Sequence, residues 1–134
     1  MDHVLVTYVV MLVFFLLVDA VMILKVINPV FQANVSEIMK SQFNVFAAGM
    51  FYLFYVSGIF WFGTFSGIKA GSVFNAALSG LFLGLLAYST YEITNFATLK
   101  GWTIQMVIID TIWGGVLGGL TATVGFYTYR FFSN

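Results

Sequence analysis

The chain has 134 residues, 61% of them hydrophobic and only 7% charged, with a mean hydropathy of +1.01, more apolar surface than a soluble domain of this size needs. Five basic and five acidic residues give a formal charge of zero with no basic block, which sets nucleic-acid binding aside. With no cysteine, and His3 as the one histidine, there is no material for thiolate chemistry, iron–sulfur ligation or the usual zinc sites; no cofactor is expected, and any metal must accept oxygen ligands.

A membrane-spanning helix takes roughly 20 mainly apolar residues. The first such stretch, residues 4–27, follows Asp2 and His3 rather than a positive leader, and no small-x-small cleavage site follows it, so it reads as a retained helix. The connection over residues 28–42 holds Pro29 with Glu37 and Lys40, and a short interfacial helix capped by Ser36 is expected within it. A second span covers residues 43–65, a third 72–94 and a fourth 103–129, joined by connections short enough to force antiparallel neighbours. Lipid offers no partner for backbone N–H and C=O groups, and these stretches lack the alternation of a barrel strand, so they should be helices. The expected fold is a single all-α domain, a transmembrane four-helix up-down-up-down bundle.

Lys25, Lys40 and Lys100 then fall on one side of the membrane, and Lys69 and Arg130 with both termini on the other, a count too even to fix orientation. Trp61, Trp102, Tyr127 and Tyr129 stand where interfacial aromatic belts occur. Ala76, Gly80 and Gly84 in the third span, and Gly114 with Gly118 and Gly115 with Gly119 in the fourth, have the spacing that lets helix backbones approach; they are read as packing within the chain or as a homo-oligomer contact.

Asp19, Glu92 and Asp110 are the informative residues, because a carboxylate inside a span is costly and usually faces the bundle interior, a partner or water. The topology sends all three toward the membrane face that bears the first connection. Glu92 and Asp110 each stand nine positions from Gly101, at similar depth on neighbouring helices, roughly 10 Å inside their ends. Carboxylates in contact cannot both stay charged without a cation, and Lys25 is an imperfect candidate for one. Tyr88, Glu92 and Asn95 form an i, i+4, i+7 stripe, and Trp113 lies three residues after Asp110. Tyr52, Tyr55 and Tyr91 add hydroxyls, while Thr121 and Thr123 are expected to bond back to their own helix. No phosphate-binding glycine loop, GxSxG elbow, HExxH or Glu-x-x-His pair is present, which disfavours standard hydrolases, nucleotide enzymes and histidine-bearing di-iron bundles.

Gln42-Phe43-Asn44, Tyr52-Leu53-Phe54-Tyr55, the run Ala87-Tyr88-Ser89-Thr90-Tyr91-Glu92-Ile93-Thr94-Asn95-Phe96-Ala97-Thr98-Leu99-Lys100-Gly101-Trp102, and Asp110-Thr111-Ile112-Trp113-Gly114 carry a resemblance. In these stretches the chain resembles domain of unknown function family 2177, small bacterial four-helix membrane proteins, over nearly its whole length. The resemblance implies no established activity; it implies a bacterial inner-membrane location and supports Asp19, Asn95, Asp110 and Trp113 as site positions. The chain departs from the family in having Glu92 where aspartate is usual and Met22 where tryptophan is frequent; the longer acid moves the carboxyl at residue 92 by one methylene, which argues against a strict metal geometry there.

The leading expectation is a non-enzymatic integral membrane protein in which Asp19, Glu92, Asp110, Asn95, Tyr88 and Trp113 hold a proton, cation or small polar ligand for transport, with membrane lipids and a second copy of the chain as partners. Two alternatives stand beside it: a lipid-modifying membrane enzyme or its accessory subunit, with a carboxyl as general acid or base, and a structural subunit in which the acids only fix helix packing. Neither catalytic residues nor a metal set is assigned.

Overall fold

A computed structural model describes residues 2–134. Four helices are long and apolar enough to cross a membrane: α1 (His3–Ile38), α2 (Val45–Ala70), α3 (Val73–Thr98) and α4 (Ile104–Ser133). Each starts on a side chain that satisfies an orphan backbone N–H: Asp2 accepts from Val4 at 2.9 Å, Asn44 from Ala47 at 3.0 Å, Ser72 from Asn75 at 3.1 Å and Thr103 from Met106 at 3.3 Å. Gly71 ends α2 at φ +66° and Gly101 turns the α3–α4 connection at φ +83°, two positions where a side chain would be strained.

The helices run longer than the hydropathy pattern alone suggests, and the largest correction is at Pro29. The chain does not leave the helix there. A π-turn over Ile23–Ile27, in which the Asn28 N–H reaches back to the Ile23 carbonyl, is followed directly by the helical segment Asn28–Val35 with Pro29 in its first turn. Proline lacks the N–H that an ordinary turn would use and its ring crowds the carbonyl four residues back; a widened turn just ahead of it removes both conflicts. Ser36 opens only a single 3₁₀ turn, Ser36–Ile38, and no side chain caps it, so the expected interfacial helix is absent from that position.

α4 is the structural centre. Along one side it buries Gly114, Gly115, Gly118 and Gly119, which face α3. Gly80 lies against Gly118 and Gly84 against Gly114, so the two helices run antiparallel in near backbone contact. α2 joins this layer where Gly67 meets Ala76 and Gly63 meets Gly80, and its own π-turn, Phe60–Thr64, directs Gly63 and Thr64 inward in succession. The Thr64 hydroxyl then donates to the Ala122 carbonyl at 2.9 Å. α1 closes the bundle, with Met11 and Phe15 packed among Tyr55, Val56, Ile59, Leu117 and Ala122. The glycine stripes are therefore occupied within one chain.

Large apolar side chains such as Leu17, Phe46, Phe54, Phe82, Ile112 and Phe131 point outward. In water this surface would drive aggregation; against lipid tails it carries no penalty. Thr123 bonds back to the Gly119 carbonyl at 2.8 Å as expected, whereas the buried Thr121 hydroxyl does not.

Candidate functional site

The polar residues of the bundle gather around two buried carboxyl positions that face one cavity. Asp19, on α1, is 5% exposed and accepts two hydrogen bonds: the Tyr52 hydroxyl donates to Oδ2 and the Trp113 indole N–H to Oδ1, both at 2.9 Å. These donors come from α2 and α4, so this one carboxylate ties three helices together. Lys25 takes no part, being exposed on the outer side of α1.

Glu92 and Asp110 form the second position. Glu92 is fully buried, and its Oε1 accepts from the Trp102 indole N–H at 2.9 Å. Its Oε2 finds no hydrogen-bond partner among the described residues, and the Asp110 carboxyl is a near neighbour of this side chain. Two carboxyl groups bond only through a proton held between them. Their placement at equal distance from the Gly101 turn brings them together as the sequence suggests. Asp19 is close enough to Asp110 for their charges to interact, yet among the described residues no three His, Asp or Glu side chains converge with metal-binding geometry.

A cavity of about 450 Å³ joins Asp19 to Asp110. α1 contributes Ile23, Ile27 and Phe31, α2 contributes Phe51 and Tyr52, and α3 contributes Ala87, Tyr88 and Tyr91. The π-turn explains the α1 wall. In an ordinary helix each step of four residues overshoots a full turn by about 40°, so residues 19, 23, 27 and 31 would wind off the cavity. The wider turn over Ile23–Ile27 sets the phase back and keeps all four on it. Phe51 and Tyr91 are half exposed and form the rim. Elsewhere in the bundle Phe15, Tyr55, Ile59 and Leu117 pack into a continuous apolar core.

Of the residues singled out from the sequence, Asp19, Asp110 and Tyr88 line this cavity, Glu92 backs Asp110, and Trp113 holds Asp19. Asn95 lies apart from the cavity, beside the Tyr91 hydroxyl. Trp102 is the main revision: it is not an interfacial anchor but a buried donor to Glu92, covered edge-on by Phe31 at 5.3 Å and packed with Val35 and Met106. Nothing in the local sequence distinguishes such a tryptophan from a belt residue, since its cover comes from the part of α1 beyond Pro29. Replacing Trp102 with phenylalanine should keep the packing but strip Oε1 of its donor. The expected loss is about 1–3 kcal/mol in detergent unfolding; unchanged stability would show that the bond contributes nothing.

The sequence family described as predicted membrane protein, domain of unknown function family 2177, matches residues 4–127. No curated protein and no solved structure matches the chain.

Proposed function

The chain belongs to domain of unknown function family 2177, predicted membrane proteins, and from that footing we propose that it binds a cation or small polar ligand at Asp19 and Asp110, as the binding unit of a small transporter. The supporting observation is the cavity lined by both carboxyls, with Glu92 a near neighbour of Asp110. Neighbouring carboxyls bond only through a proton held between them, and a cation arriving at Asp110 would take over the role of such a proton and release it. The apolar cluster behind the cavity means that carrying a ligand across calls for a second conformation or a second copy of the chain.

The half-exposed rim at Phe51 and Tyr91 favours one second reading, a lipid-modifying enzyme in which Asp110 serves as general acid or base for a lipid entering from the side. The two part company on turnover: a binding protein returns its ligand unchanged.

Titrating the purified protein in weakly buffered detergent with inorganic and organic monovalent cations tests the proposal. Saturation is expected to release up to one proton per chain and to raise the melting temperature, with both effects lost in Asp110→Asn. If no cation changes either quantity in the wild type, the proposal fails.

A further inference from the structure

We propose that the cavity takes an organic ammonium ion bearing an apolar substituent rather than a bare metal or alkali cation, an inference that rests on the cation-binding reading above and narrows its substrate class.

Three features of the wall lead there. The first is size: about 450 Å³ is far more than one ion needs and falls within the range of small-molecule pockets. A bare ion in such a volume would have to keep most of its water, yet much of the wall is Ile23, Ile27, Phe31 and Phe51, which offer that water nothing to bond to. The second is the donor set. Alkali and divalent ions are held by several converging oxygens, and the described residues contain no group of three carboxyl or imidazole side chains arranged to supply them.

The third feature is aromatic. Five rings, those of Phe31, Phe51, Tyr52, Tyr88 and Tyr91, stand around the two carboxyls. Aromatic faces attract ammonium ions in proportion to how far those ions are dehydrated, and a quaternary or alkylated ammonium gives up its water far more readily than sodium or magnesium does. Carboxyl groups supply the opposite charge, and the apolar α1 stripe receives the substituent. Behind this wall two buried polar atoms, Glu92 Oε2 and the Tyr55 hydroxyl, have no hydrogen-bond partner. Tyr55 is also stacked on Phe51, with ring centres 5.2 Å apart.

Calorimetric titration of the full chain in detergent, with sodium, magnesium, choline, the uncharged carbon isostere of choline, and benzyltrimethylammonium, separates the outcomes. Benzyltrimethylammonium is expected to bind at least tenfold more tightly than sodium or magnesium, and choline to bind where its uncharged isostere does not. Phe51→Leu keeps apolar volume at a half-exposed position but removes one ring, and should weaken benzyltrimethylammonium about 5- to 30-fold while leaving the melting temperature of the free protein close to wild type. Sodium or magnesium binding as tightly as the ammonium ions would overturn this inference and leave the cation-binding reading standing. Equal binding of choline and its isostere, or an undiminished affinity in Phe51→Leu, would overturn it as well. Binding of none of the ligands would remove both readings together.

Discussion

Gly84→Ala should lower the stability of the bundle by about 3 kcal/mol, the upper end of what overpacking costs in a close-packed core. A Cβ at residue 84 would be driven into the carbonyl of Gly114, and backbone cannot step aside as a side chain can. Gly80 faces the Gly118 carbonyl in the same way one turn further along, so the α3–α4 layer has no slack on either side to absorb the shift. Gly49 and Gly58 on α2 supply the control, because nothing lies within 4 Å of where their Cβ would stand. Alanine there is expected to be neutral or to stabilise by a few tenths of a kcal/mol through helix propensity. Thermal unfolding of all three variants in one detergent decides the matter, and equal behaviour of Gly84→Ala and Gly49→Ala would remove the argument. The comparison also bears on self-association: if the stripes hold α3 to α4 within one chain, Gly84→Ala unfolds the protomer instead of splitting a dimer.

Hydropathy placed the four helices because it acts locally: twenty apolar residues suffice to define a span, whereas the caps at Asp2, Asn44, Ser72 and Thr103, each bonding to a backbone N–H two or three residues ahead, emerge from the structure. The common depth of Glu92 and Asp110 was legible for a similar reason, since a tight turn at Gly101 sets residues equidistant from it at one level on adjacent helices, but that their carboxyls are neighbours depends on how the helices are rotated, which sequence does not give. What escaped is non-local. The π-turn before Pro29 carries no distinctive signal, because Ile23–Ile27 is apolar apart from Lys25, which reads as an ordinary snorkelling residue near the end of a span. Yet it decides that α1 continues, that Phe31 and Val35 reach Trp102, and that Ile23 and Ile27 face the cavity. The partners of Asp19 were partly hidden too: Trp113 stood out by its spacing from Asp110, but nothing in sequence pairs residue 19 with Tyr52 thirty-three positions away on α2.

The two neutralising substitutions Asp19→Asn and Glu92→Gln look alike on paper, but the hydrogen bonds around them predict opposite results. Trp113 Nε1 can only donate, so asparagine at residue 19 must turn its oxygen toward the indole and its NH₂ toward Tyr52. The Tyr52 hydroxyl can accept from that NH₂, but its own proton then loses its acceptor in a buried site. A loss of about 1–3 kcal/mol is expected. Glutamine at residue 92 meets no such conflict. Its Oε1 still accepts from Trp102, and its Nε2 can donate to the neighbouring Asp110 carboxyl. That bond forms without a shared proton, so Glu92→Gln should match the wild type within about 0.5 kcal/mol or exceed it. Unfolding of both variants in the same detergent checks the contrast, and a loss at residue 92 as large as that at residue 19 would show that the carboxyl pair is bonded some other way. If the contrast holds, Glu92→Gln becomes the sound functional probe: a folded chain without the shared proton, in which cation binding no longer releases one, and any change in binding reports on chemistry instead of on assembly.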